Sequence, residues 1–385
     1  MDFTDLSSPR NPRLKFSQKL AQISWGLIFL VLALGASGVA MLYSAADGSM
    51  EPWASRQMVR LGAGLLIMSV VALFDIRFWF RQSYLIYLGA LLLLVAVEVM
   101  GSTGMGAQRW IDLKVIRIQP SEVMKVALVM VLARYFHGLA SDDIGRPTLL
   151  LLPLALVLVP TALVVKQPDL GTSAMLLMVG VAMFFIAGVR MWKFGVLVVA
   201  GLGAIPIGWQ FLHGYQRQRV LTFLNPESDP LGSGYHTIQS KIALGSGGLT
   251  GRGFLQGTQT HLEFLPEKQT DFIFTMLAEE FGMLGGLGLL GLYTLVFVYG
   301  AAIAIRSRNH FGRLLAMGLM INLFLYVFIN IAMVMGLIPV VGVPLPLISY
   351  GGTAMMTVLI SLGLMMSISI HRDVRIPRTG LNTEL

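Results

Sequence analysis

The sequence predicts an all-α, polytopic integral membrane protein with about ten transmembrane helices and one large extracytoplasmic loop. Three observations predict it. Of 385 residues, 55% are apolar and only 12% charged, with a mean hydropathy of +0.74; a soluble domain carries about twice that charged fraction. Runs of about twenty apolar residues recur along the chain, each long enough to cross roughly 30 Å of hydrocarbon as a helix. The strand alternation of a membrane barrel is absent. There is no cysteine, which excludes a disulfide framework and a thiolate metal site. The net charge of +8 suits anionic lipid headgroups, and no nucleic-acid partner is expected of so apolar a chain.

Residues 1–21 form a polar tail carrying Arg10, Arg13, Lys15 and Lys19. The first apolar stretch outruns the short core of a cleaved signal peptide and reads as a retained span. A single membrane domain then occupies 22–370, with spans expected near 22–45, 57–74, 83–100, 120–137, 147–165, 171–189, 193–212, 272–305, 311–336 and 346–370, and a second tail at 371–385. An even number of spans puts both tails on one side. Basic residues in the tails and in loops 75–82, 133–146, 190–193 and 306–313 assign that side to the cytoplasm. The opposite face then carries 101–119, 166–170, the long loop 212–271 and 337–347. No internal repeat is visible, which argues against an inverted-repeat transporter. The span after Asp271 is long, and its early Glu279 and Glu280 are expected at the interface or lining a cavity, because two adjacent carboxylates in lipid are costly. Gly282 to Gly291 permits close helix packing.

Five outer-face elements can carry chemistry. In Gly106-Ala107-Gln108-Arg109-Trp110-Ile111, an Arg fork beside a Trp can grip a phosphate or simply anchor at headgroup level. In Gln119-Pro120-Ser121-Glu122-Val123-Met124-Lys125, Pro120 and Ser121 mark a helix start. Glu122 and Lys125, three apart, then share one face, either as an ion pair in the bundle or lining a polar cavity. Lys166-Gln167-Pro168-Asp169-Leu170-Gly171-Thr172 is a tight turn in which Asp169 pairs with Lys166 or caps the next helix. The long loop holds the basic patch Gln216-Arg217-Gln218-Arg219, a turn-rich Gly232-Ser233-Gly234-Tyr235-His236, Gln239-Ser240-Lys241, and the Gly-rich 245–253, which either nests an anion or flexes. It ends in Phe264-Leu265-Pro266-Glu267-Lys268-Gln269-Thr270-Asp271-Phe272-Ile273-Phe274, a carboxylate at the mouth of an apolar helix. Last, Pro344-Leu345-Pro346-Leu347-Ile348-Ser349-Tyr350-Gly351-Gly352 breaks the helix near membrane depth, where only protein or water can satisfy the backbone. No Walker or dinucleotide spacing is present.

Taken in order, Arg109-Trp110, Gln119-Pro120-Ser121-Glu122, Gln167-Pro168-Asp169-Leu170-Gly171-Thr172, the Gly-rich loop, Leu265-Pro266-Glu267 with Thr270-Asp271-Phe272-Ile273-Phe274, and Ile348-Ser349-Tyr350-Gly351-Gly352 resemble the SEDS family of bacterial cell-wall proteins through nearly the whole chain. Gly257-Thr258-Gln259 followed by Phe264-Leu265-Pro266-Glu267 looks more like its RodA (elongation) branch than its FtsW (division) branch. The resemblance implies a peptidoglycan glycosyltransferase that polymerises lipid II into a growing glycan strand at the outer face of the inner membrane. It also implies a class B penicillin-binding protein as transpeptidase partner, alongside other membrane proteins of the elongation complex. Asp271 matches the family's catalytic aspartate and is the expected general base. Gln269 stands where the family often has His, so that position is not expected to carry an essential proton.

The reaction needs one base on an acceptor hydroxyl and cations on a departing polyprenyl diphosphate. Arg109, Lys125, Arg217, Arg219 and Lys241 are the cationic candidates; Glu122, Lys166, Asp169 and Glu267 complete the expected substrate-binding set. No cofactor is required by this scheme, although a divalent cation such as Mg²⁺ is an alternative, with Asp271 then a ligand. The other readings are a lipid II flippase or transporter and a non-catalytic scaffold of the wall-elongation machinery.

Overall fold

The structure is a computed structural model that describes residues 16–104, 107–112, 117–140, 142–211, 214–225, 233–258 and 267–378. Its helices are α1 (Phe16–Ala21), α2 (Trp25–Ala45), α3 (Ala54–Leu73), α4 (Ile76–Met100), α5 (Pro120–Gly138), α6 (Pro147–Lys166), α7 (Leu170–Ala187), α8 (Met191–Phe211), α9 (Gly214–Leu224), α10 (Ser233–Ser246), α11 (Ile273–Arg306), α12 (His310–Val334) and α13 (Gly352–Ile370). Three short antiparallel strands lie between α4 and α5: β1 (Ser102–Gly104), β2 (Ala107–Asp112) and β3 (Arg117–Ile118). Among the described residues, eight helices are long and apolar enough to cross a membrane. The other two of the expected ten are α5 and α8. α8 contributes a shorter apolar piece, Met191–Ala204. α5 carries Glu122, Lys125 and Arg134, and it is buried almost all round against α4, α6, α7, α12 and α13. A helix hidden from lipid on every side has no need of a lipid-facing stripe.

Three boundaries differ from expectation for local reasons. The loop expected at 75–82 is mostly helix, because the Asp75 carboxylate accepts from the Arg77 amide at 2.8 Å and starts α4 there. The last span begins at Gly352, not 346. Pro344 and Pro346 forbid helical hydrogen bonds, and the Tyr350 amide is turned to the Gln269 carbonyl at 2.8 Å. The passage read as turn-rich around Ser233 is the start of α10. There Gly234, Thr237, Ser240, Ala243 and Gly247 are buried at three- or four-residue spacing, and α10 packs on α11. Ser240 fixes that packing, with its Oγ 2.9 Å from Thr275 Oγ1 and donating to the Val334 carbonyl at 2.8 Å.

The long α11 is two helices joined at Gly282, whose φ of 64° and ψ of −161° are open only to glycine. The broken turn is repaired by the Gly-rich loop. The Arg252 and Gly253 amides donate to the Glu279 and Glu280 carbonyls at 3.0 Å each, and the Met283 and Leu284 amides donate back to Gly248 and Leu249. This approach needs bare backbone, since a Cβ at Gly247 would fall 2.0 Å from the Ala278 carbonyl oxygen. Glu279 and Glu280 therefore sit in the protein interior rather than at the interface. Ser44 Oγ donates to Glu280, and Thr258 Oγ1 donates to Glu279 at 3.3 Å.

Candidate active site

The site is organised by the non-helical segment between α12 and α13, residues 336–351, whose stretch from 343 to 349 is buried apart from Pro344. Irregular backbone at this depth persists only when protein satisfies it, and four side chains do so here. Asn330 Nδ2 donates to the Val343 carbonyl at 2.7 Å and to the Asp271 carbonyl at 3.0 Å, tying the segment to the start of α11. Ser349 Oγ accepts from the Leu345 amide at 2.8 Å and donates to the Thr270 carbonyl at 2.5 Å. Tyr293 donates to the Pro346 carbonyl at 2.5 Å, and Gln57 Nε2 to the Ser349 carbonyl at 3.2 Å.

Asp271 lies in the turn before α11, outside the spanning helices, and is half-buried. Its carboxylate faces Gly342, where a Cβ would stand 3.3 Å from Oδ2 and where φ is +74°. Burial is the main reason its pKa rises to about 6; Glu267 adds repulsion and Arg219 opposes both. Glu267 has a positive φ of 62° and accepts from Thr270 Oγ1 at 3.0 Å. Arg219 of α9 donates from Nη1 to the Val340 carbonyl at 3.2 Å, and Lys241 of α10 lies over Gly336. Arg60 of α3 stacks its guanidinium 4.5 Å from the Tyr350 ring centroid, so cationic side chains from α3, α9 and α10 border the segment beside this carboxylate.

Arg109 on β2 reaches the turn before α7. Its Nη2 donates to the Pro168 carbonyl at 2.8 Å, and Nε stands 3.5 Å from Asp169 Oδ2. Asp169 also caps α7 through the Thr172 amide (3.1 Å) and hydroxyl (2.9 Å). Gly171 packs on the Val341 carbonyl, where a Cβ would come within 3.0 Å, so this turn adjoins the segment that holds Asp271.

Glu122 and Lys125 form an ion pair at 2.7 Å inside the bundle, with side chains 4% and 1% exposed. The Tyr326 hydroxyl donates to Glu122, Thr357 Oγ1 donates to it at 3.4 Å, and Lys125 Nζ lies 4.0 Å from the Tyr326 ring centroid. Tyr326 is one helical turn from Asn330, so α12 connects this pair to the Asp271 turn.

Two expected members lie elsewhere. Arg217 spends its guanidinium on the end of α8, donating to the Trp209 and Gln210 carbonyls at 3.1 and 2.9 Å. Lys166 pairs with Glu98 of α4 at 2.7 Å rather than with Asp169, because the turn between α6 and α7 directs the two side chains to different neighbours. Asn330, Tyr326 and Thr357 went unnoticed in the sequence, and Ser349 stood out only as part of its motif. The signal for two of them is present: Asn322, Tyr326 and Asn330 recur every fourth residue in an otherwise apolar span. No group of three or more His, Asp or Glu converges among the described residues. A Mg²⁺ ion would therefore rely on Asp271 and Glu267 with carbonyls and water, a ligand set this ion accepts.

Comparison with known proteins agrees with this architecture. The family model described as "Cell cycle protein" (FtsW, RodA, SpoVE) matches residues 19–374. The peptidoglycan glycosyltransferase MrdB of Escherichia coli is 47% identical over 370 residues, covering 94% of this chain and 98% of that one. Among solved structures, a chain of a peptidoglycan synthase complex that coordinates polymerization and crosslinking superposes with a TM-score of 0.78 at 33% identity, covering 91% of this chain and 98% of that one. The rod shape determining protein RodA of Thermus thermophilus gives 0.69 at 30% identity, covering 91% and 97%. With a family match along nearly its whole length and a relative 47% identical, the chain belongs to the FtsW/RodA/SpoVE family.

Proposed function

We propose that this membrane enzyme, a peptidoglycan glycosyltransferase, polymerises lipid II at the outer face of the inner membrane, with Asp271 as general base. The observation that carries the assignment of the base is a half-buried carboxylate raised to about 6, placed beside Arg219. A base of that pKa is ionised at neutral pH yet still takes up a proton readily. In the proposed step the 4-hydroxyl of an acceptor GlcNAc gives its proton to Asp271 as its oxygen bonds to the anomeric carbon of a lipid-linked MurNAc. The bond from that carbon to the diphosphate breaks, and the polyprenyl diphosphate leaves with both electrons. Inversion at one carbon needs one base, not the carboxylate pair of a retaining hydrolase. Arg219, Lys241 and Arg109 are the expected cations that border this segment or the turn beside it, and they offset the charge that develops on the diphosphate. A class B penicillin-binding protein is the proposed crosslinking partner; the likeness to a chain of a peptidoglycan synthase complex supports it. The test of the reading is polymerisation of labelled lipid II by the purified protein.

Arg109→Lys should keep the fold and the charge but lose the fork that spans Pro168 and Asp169. We expect polymerisation at low lipid II concentration to fall about tenfold, with thermal stability matched to wild type. Rates equal to wild type would make Arg109 only an interfacial anchor, since Lys snorkels as well as Arg.

The orientation is tested separately. A cysteine at Ser228, in the long loop but outside the described residues, is unique in this cysteine-free chain. It should react with a membrane-impermeant thiol reagent in intact, outer-membrane-permeabilised cells. Labelling only after lysis would reverse the topology.

A further inference from the structure

At the end of the bundle opposite Asp271, α2, α11 and α13 leave an open crevice of about 240 Å³. Ser24, Tyr299, Arg306, Ser369 and Arg372 line it, with Val298 on its wall. The lining offers two guanidinium groups and three hydroxyls, and no carboxylate. Ser24 Oγ and Ser369 Oγ stand 3.2 Å apart, joining α2 to α13 across the floor. Tyr299 lies hard against α2, where a Cβ on Gly26 would fall 2.0 Å from its hydroxyl oxygen.

The charge at this rim is positive after its neighbours are counted. Arg306 makes no ion pair among the described residues. Arg372 meets Asp373 at only 3.6 Å, and Arg308 holds the same carboxylate more closely at 3.1 Å. Three arginines face one aspartate, and the C-termini of α11 and α13 subtract about half a charge each. The surplus is about one positive charge.

The flanks of the crevice are apolar and uncovered. Trp25 and Phe29 on α2 are 67% and 70% exposed, and Val298 and Ile305 on α11 are 59% and 77% exposed. In a bilayer these side chains face acyl tails. A free phosphate would gain nothing from them, whereas a phospholipid would use crevice and flank together. We propose that this crevice binds the headgroup of an anionic phospholipid from the leaflet at that end, its phosphate between Arg306 and Arg372 and its acyl chains along α2 and α11.

The test is native mass spectrometry of the full-length, delipidated protein titrated with phosphatidylglycerol or phosphatidylcholine, and in parallel with inorganic phosphate as competitor. Wild type should retain phosphatidylglycerol about fivefold more strongly than phosphatidylcholine, the difference that one surplus interfacial charge provides. The double variant R306Q/R372Q, altered only at exposed positions, should abolish the preference for phosphatidylglycerol. Ala302→Phe fills the crevice while keeping both arginines, and it should lose the preference as well. Equal retention of both lipids by wild type, or an unchanged preference in either variant, would overturn the site. Displacement of the lipid by millimolar phosphate would make it a phosphate site and overturn the lipid assignment.

Discussion

Asp271→Asn and Asp271→Ala abolish glycan polymerisation while the protein inserts, stays folded and still binds the proposed penicillin-binding partner: this is the largest effect expected of any substitution. Removing a general base costs on the order of 10²- to 10⁴-fold in rate, and Asn cannot accept the proton. The fold should not suffer. Asn330 holds the backbone carbonyl of Asp271, not its carboxylate. Stability should hold or rise. A carboxyl whose pKa is raised by folding, here from 3.8 to about 6, favours the folded state only at low pH, and that contribution is lost as pH climbs through about 6. At neutral pH the ionised Asp271 is therefore a liability that Asn removes. Activity in the Asn variant within a few-fold of wild type would exclude Asp271 both as base and as anionic metal ligand.

The second large effect concerns stability. Glu122→Ala leaves the Lys125 ammonium, 1% exposed, without its counter-charge, and Lys125→Ala strands Glu122 in the same way. Breaking a buried pair from one side costs about 3–5 kcal/mol. Each single variant should melt well below wild type in detergent or fail to accumulate. The double variant should be less damaged than the sum of the two, because the second substitution removes the charge that the first left stranded. The Tyr326 hydroxyl and ring contact both members, so some of the loss remains in the double. Strictly additive losses in the thermal midpoint would mean that the two side chains do not act as a pair.

How much of this was legible in the sequence depends on the range of each interaction. Eight spans follow from apolar runs, and the pairing of Glu122 with Lys125 follows from three-residue spacing at a helix start. Asp271 stands out because a carboxylate at the mouth of an apolar helix is costly. What holds its neighbourhood was not legible. Asn330 is 59 residues from Asp271, and only the folding back of 336–351 brings them together. Glu98 and Lys166 are 68 apart, so the nearer acid, Asp169, looked the natural partner. Helix α10 was obscured by its Gly and Ser content, which reads as turn chemistry. The small-residue stripe makes sense only against α11, where close approach requires it. The kink at Gly282 was hidden in a similar way, because a glycine inside a long apolar run reads as a packing surface until a second backbone is seen to dock there.

The most direct measurement is the rate at which purified wild-type protein, supplied with the proposed penicillin-binding partner, converts labelled lipid II into glycan strands between pH 5 and 8. The expected rate of polymer formation rises with pH, reaches half its plateau at about pH 6 as Asp271 ionises, and is flat above about pH 7. No glycan product at any pH from folded protein with an active partner, or a rate that falls as pH rises through this range, would contradict the proposed function.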